Sequence, residues 1–309
     1  MRIGTYARAT LQLTPLQPEP YHTRLTGQAH LRAVFVVLLG ALTPRTAGVC
    51  PYGAAENMGR VIAIANQKGG VGKTTTAVNL SASIAAAGRR VLLIDLDPQG
   101  NATSGLGVNK NTLAHTLYDA MVEHVPLSQV VQGTMLDSLF LVPSNRQLVG
   151  AEVEFVGIES REYRLRRCLE PLQNEYDYVI IDCPPSLSLL TVNGLVAATA
   201  VMITLQCEYY ALEGLSELLQ TIKLVRDNLN PGLRIEGVLL TMHQHTNLSR
   251  QVVEDVRSHL GEKVYETVVP RNVTLSEAPS FGKPVILYDA KSPGATAYLA
   301  LAREVIARG

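Results

Sequence analysis

From Arg60 onward, short unbroken apolar runs alternate with longer stretches whose apolar residues recur at helical spacing. The first run, RVIAIAN (60–66), is rich in β-branched residues and reads as a strand covered on both faces. RVLLIDLD (90–97), LFLVPSN (139–145), DYVIIDCPPS (177–186), AVMITLQ (200–206) and RIEGVLLTM (234–242) repeat that pattern. A helix-length segment separates each run from the next. The first helix is expected from about Lys73 to Ala87, with Gly88 placed to end it in a left-handed conformation. Such alternation predicts an α/β fold: a doubly wound, mostly parallel sheet flanked by helices, with its ligand at the carboxyl ends of the strands. Residues 58–309 contain no internal repeat or low-complexity segment, so they are expected to form one domain.

Residues 1–57 break the pattern. They are rich in Thr, Pro and Arg, lack lysine, and hold one apolar run, AVFVVLLGAL (33–42), too short to span a bilayer. A signal-peptide core is one reading of that run, and a disordered tail is another. The simplest expectation is that the segment is an extension foreign to the domain and that Met58 is the natural start.

Composition narrows the class without deciding it. With 47% apolar and 17% charged residues in 309, the chain has enough material for a sizeable core. Cysteines 50, 168, 183 and 207 form no C-x-x-C pair, so neither a zinc site nor a redox motif is indicated, and buried or incidental thiols of a reducing cytosol are expected. Residues 58–309 carry 22 basic and 25 acidic side chains, so any contact with nucleic acid has to come from a local patch.

The chemistry concentrates in NQKGGVGKTTTAVNLS (66–81), which lies between the first strand and the first helix. A phosphate loop reads G-x-x-x-x-G-K-[ST]. Gly72, Lys73 and Thr74 match its end, Gln67 stands at the first glycine position, and Gly69 and Gly70 keep the backbone able to wrap an anion. The N–H groups of Lys68 through Thr75, Val71 included, are expected to face phosphate at the helix N-terminus. Lys73 is expected to reach the terminal phosphates and Thr74 to bind Mg²⁺. Asp182, ending an apolar strand, is expected to hold the same ion. In LLIDLDPQGNAT, period-two alternation puts Asp95 and Asp97 on one side. Asp97 is the candidate for positioning the attacking water, and Asp95 is a supporting or metal-shell residue.

KGGVGKTT, DLDPQGNATSGLG, DYVIIDCPPSLSLLTVNGL, EYYALEGL and VPRNVTLSEAPSFGKP together resemble the ParA/Soj ATPases of bacterial chromosome and plasmid partition, over essentially all of 59–309. The resemblance implies a deviant Walker A loop whose extra lysine is Lys68. In relatives two subunits sandwich two ATP molecules and this lysine reaches the partner's phosphates, which implies an ATP-dependent homodimer with ATP and Mg²⁺ as cofactors. It also implies adenine contacts at Pro270, Arg271 and Asn272, and packing of Tyr209 and Tyr210 near the dimer interface. Further implications are non-specific binding of double-stranded DNA, hydrolysis stimulated by a ParB-like centromere-binding protein, and a cytoplasmic, nucleoid-associated location.

The DNA surface is expected between about His243 and Lys283, on Arg250, Arg257, Lys263 and Lys283. Relatives often carry Arg where this chain has His245 and Thr274, so DNA binding is expected to be weak or to rest on Arg250 and its neighbours. The alternative is a MinD-like or cargo-positioning ATPase acting on a surface other than DNA. Against a MinD-like membrane anchor, AYLALAREVIARG reads as a packed core helix.

Overall fold

In a computed structural model the described residues are 59–308, apart from 173, 209 and 210 and the side chains of 211–214. The expectations for residues 1–57, for Met58 as a start, for Cys50 and for Tyr209 and Tyr210 lie outside them.

The sheet has eight strands in the order β3-β4-β2-β5-β1-β6-β7-β8. They are β1 (Arg60–Ala65), β2 (Val91–Asp95), β3 (Gln132–Gly133), β4 (Leu139–Val142), β5 (Tyr178–Asp182), β6 (Ala200–Gln206), β7 (Arg234–His243) and β8 (Val264–Pro270). Every pairing is parallel except that of the two-residue β3 with β4. β1, β2, β4, β5 and β6 are buried nearly throughout, as their unbroken apolar runs require.

The helices that bear on the site are α1 (Lys73–Ala86), α2 (Asn101–Gly105), α3 (Leu189–Ala197), α4 (Ala211–Asn228), α5 (Asn247–Leu260), α6 (Val273–Glu277) and α7 (Pro293–Ala307). Strand alternation sorts the core onto two faces. Val61, Ala63, Leu92 and Ile94 pack with α3, α4 and α5, while Ile62, Ile64, Val91 and Leu93 pack with α1 and α7. α1 ends close to its sequence expectation: Gly88 takes φ 81° and its N–H donates to the Ala85 carbonyl at 2.9 Å. α7 buries Tyr298, Leu301 and Val305, as expected of a core helix.

β8 has no counterpart among the strands expected from the sequence. Glu266 and Thr267 interrupt its apolar run, which an edge strand tolerates because one side has no strand partner. The Glu304 carboxylate of α7 accepts from the Glu266 and Thr267 N–H groups at 2.8 and 3.1 Å, covering that edge.

Two loops meet beside the carboxyl ends of the strands. A side chain at Gly282 (φ 63°) would place Cβ 2.6 Å from the Cα of Gly107, itself at φ 78°. Gly282→Ala is therefore expected to destabilise the fold by roughly 1–3 kcal/mol, lowering the melting temperature by ~2–4 °C per kcal/mol. Scanning calorimetry checks this.

Candidate active site

The phosphate loop leaves β1 at Ala65 and enters α1 at Lys73. Gly70 and Gly72 take φ 74° and 88°, values that only glycine adopts without strain, so the loop's tight path is set by those two residues. Three hydrogen bonds fix it. Asn66 donates through Nδ2 to the Thr204 carbonyl at 2.6 Å and accepts the Lys68 N–H at 2.9 Å. The Thr241 hydroxyl donates to the Val71 carbonyl at 2.9 Å, tying the loop to β7.

The two lysines of the loop differ. Lys73 is buried, and its ammonium donates to the Lys68 carbonyl at 3.0 Å, so it lies under the loop. Burial lowers its pKa, opposed by the charges of Asp182, Cys183 and Asp97. Lys68 is only half-buried, and no hydrogen bond or ion pair engages its ammonium among the described residues.

Three carboxylates gather at the ends of β2 and β5. Asp95 and Asp182 are register partners on these adjacent strands, and both are fully buried. Asp95 is saturated with donors. Its Oδ2 accepts from the Thr103 N–H at 2.7 Å and the Thr103 hydroxyl at 2.6 Å, and its Oδ1 accepts the Asp97 N–H at 3.3 Å. Burial nevertheless raises its pKa to about 6, against the pull of those bonds.

Asp182 is the opposite case. Neither of its oxygens completes a hydrogen bond among the described residues, although the Thr74 hydroxyl is near enough to favour the charged form. Burial pushes its pKa well above the carboxylate range, and the charge of Asp95 adds to the shift. A buried carboxylate with two orphaned oxygens beside the Thr74 hydroxyl fits a divalent cation, which would supply the missing partner.

Asp97 sits beyond the end of β2, so strand alternation does not aim it as the sequence suggested. A turn does. Its Oδ1 accepts the Gln99 N–H at 2.9 Å and its carbonyl accepts the Gly100 N–H at 2.9 Å. Gly100 is held at φ 63°, where a Cβ would come within 2.7 Å of the Ser144 carbonyl oxygen. Lys110 donates to the Gln99 carbonyl at 2.6 Å and closes the turn from outside.

Beside the loop lies a cleft of about 550 Å³, large enough for a nucleoside. Gly72, Thr74 and Thr75 form one end, and Pro270, Arg271 and Asn272 line the other. The fold thus unites two segments nearly 200 residues apart. The Asn272 Oδ1 is buried there with no partner among the described residues. Met242, also in the lining, is held at φ 52° at the end of β7.

The basic residues expected to bind DNA do not converge. Arg250 lies exposed in the first turn of α5, at the loop's end of the sheet. Arg257, seven residues or ~10 Å further along the helix axis, donates to the Glu266 carbonyl at 2.9 Å and pairs with its carboxylate at 3.7 Å. Lys263 precedes β8, at the far end of the sheet, whereas Lys283 lines the cleft. His245 is exposed, its ring 5.7 Å edge-on from that of His243.

Thr103, Asn66, Thr241, Ser144 and Lys110 were not singled out from the sequence. Their work is to hold other groups, and no spacing rule marks such a residue. Among the described residues Cys183 and Cys207 are buried and Cys168 partly so, all three as free thiols. No helix among them is long and apolar enough to cross a membrane.

A parallel doubly wound sheet with this loop at β1–α1 and a buried carboxylate on the neighbouring strand defines a P-loop nucleoside triphosphatase. A sequence-family description of an AAA domain matches residues 59–235. The chromosome partitioning protein ParA of Myxococcus xanthus is 56% identical over 268 residues, covering 85% of this chain and 95% of that protein. The sporulation initiation inhibitor protein Soj of Bacillus subtilis is 58% identical over 253 residues, covering 82% and 100%. Among solved structures, cobyrinic acid a,c-diamide synthase from Mycobacterium smegmatis with bound ADP and magnesium superposes with a TM-score of 0.71 at 40% identity, over 81% of this chain and 94% of that one. The septum site-determining protein MinD of Pyrococcus horikoshii, complexed with Mg-ADP, superposes with a TM-score of 0.66 at 25% identity, over 80% and 96%. The chain belongs to the ParA/Soj family of chromosome-partitioning ATPases.

Proposed function

We propose that this ATPase is a nucleotide-gated dimer that partitions DNA: ATP joins two copies, the pair holds duplex DNA regardless of sequence, and hydrolysis releases it. A ParB-like centromere-binding protein stimulates that hydrolysis. The observation that carries the reading is the contrast between the two loop lysines. Lys73 is held inside its own subunit by the Lys68 carbonyl, whereas no hydrogen bond or ion pair engages the Lys68 ammonium among the described residues. A cation brought across to the partner's nucleotide would stabilise both the pairing and the charge on the transferred phosphoryl group.

The other roles follow from position. Thr74 and Asp182 hold Mg²⁺, which when bound neutralises charge on the phosphate oxygens. Asp97 orients the attacking water, and Asp95, occupied by Thr103, supports Asp97 rather than the metal. Pro270, Arg271 and Asn272 border adenine. The orphaned Asn272 Oδ1 is an acceptor suited to an exocyclic amine.

Hydrolysis removes the phosphate that bridges the subunits, so the dimer's lifetime is set by turnover. Arg250, doubled in the dimer and lying at the loop's end of the sheet, is the leading DNA contact. The dispersal of Arg257, Lys263 and Lys283 favours weak binding, and it gives weight to a second reading in which the ATPase positions cargo on a surface other than DNA.

Gel shift with a non-hydrolysable ATP analogue distinguishes the two. Retardation is expected at about 50 mM salt and its loss by about 200 mM, with Arg250→Ala weakening it. No retardation at the lower salt would leave only the second reading.

A further inference from the structure

We infer that Thr103 is a positioning residue for Asp97, acting through Asp95; this rests on the reading of Asp97 as the group that orients the attacking water. The geometry is a continuous chain of hydrogen bonds. Thr103, the third residue of α2, is fully buried and sends both its N–H and its hydroxyl to Asp95 Oδ2, at 2.7 and 2.6 Å. The other oxygen of Asp95 takes the Asp97 N–H at 3.3 Å. The hydroxyl of Thr103 in turn accepts the Ser144 N–H at 2.9 Å, from the segment just beyond β4.

Each member has one use. A hydroxyl both donates and accepts, so Thr103 joins a fixed N–H on one side to a carboxylate on the other. That carboxylate cannot turn, and its second oxygen holds the backbone of the residue it faces. The start of α2 and the end of β4 thereby set where the Asp97 backbone stands. Without the hydroxyl, Asp95 would keep a single bond to Thr103, and the Ser144 N–H would lose its partner. None of these groups touches the cleft that would hold the nucleoside, so nucleotide affinity and turnover should respond separately.

The test compares Thr103→Val, which keeps the shape and removes the hydroxyl, with Thr103→Ser, which keeps the hydroxyl, and with Asp97→Ala. Steady-state ATP turnover and ATP affinity are measured for all three. Thr103→Val is expected to lower kcat about tenfold, the effect of one lost charge-assisted hydrogen bond, with KM for ATP within about twofold of the unmodified protein. Thr103→Ser is expected to recover most of the rate. Wild-type turnover by Thr103→Val overturns the inference. So does a parallel loss of rate and affinity that Thr103→Ser fails to rescue, which would mark a merely structural residue. If Asp97→Ala itself turns over normally, the role of Asp97 fails and the positioning role with it. An inactive Asp97→Ala beside a fully active Thr103→Val removes the positioning role alone.

Discussion

Lys68→Ala protein is expected to remain monomeric in Mg-ATP while still binding the nucleotide. The grounds are in the loop. Lys73, Thr74 and the backbone N–H groups remain in place, because the bonds that fix the loop at residue 68 use its main chain: Asn66 holds the N–H and the Lys73 ammonium holds the carbonyl. The substitution removes only a side chain that has no partner among the described residues. Nucleotide affinity of the monomer should fall by less than about tenfold, whereas the ATP-dependent dimer should be lost and turnover should fall by ~10³ or more, the scale of a cation supplied in trans. Light scattering and single-site nucleotide titration read the two effects independently.

The second large effect is expected at Asp182 and has two opposite signs. A buried carboxylate without a hydrogen bond destabilises the nucleotide-free fold, and its raised pKa expresses that cost. Asp182→Asn keeps the shape and removes the charge. The nucleotide-free variant is expected to melt higher, by ~2–4 °C for each kcal/mol relieved. Magnesium-dependent turnover should fall by roughly 10²–10³, since a partner for the cation is gone. A variant that melts lower and hydrolyses normally would mean that Asp182 is a structural group with no cation to meet. Higher stability together with lost turnover in the variant is characteristic of a site that keeps a charge ready for a ligand.

The buried strands and the phosphate loop were legible because each depends on local pattern. β1, β2, β4, β5 and β6 are covered on both faces and so read as unbroken apolar runs, and the loop's glycines mark a path that other residues would strain. β8 was not legible, because an edge strand admits Glu266 and Thr267, and its covering group, Glu304, lies 37 residues or more away in sequence. The acidic residues and a role for each were read from the sequence, but the hydrogen bonds that set them apart were not. Only the fold reveals that Thr103 occupies Asp95 and that Asp182 is left open. The formally neutral stretch from His243 to Lys283 read as one candidate surface in sequence. An α-helix followed by a strand carries its charges to opposite ends of the sheet, and the next loop turns Lys283 into the cleft. Linear proximity misled there because the chain reverses direction twice.

The mass of Asp97→Ala protein in solution, measured by light scattering with Mg-ATP and again with Mg-ADP, bears most directly on the ATP-gated dimer. With hydrolysis blocked, the protein is expected to have twice the monomer mass in ATP and the monomer mass in ADP, and adding Lys68→Ala to the same chain should abolish the difference. A monomer in both nucleotides, or a dimer that persists without Lys68, would contradict a dimer held together across the nucleotide by that lysine.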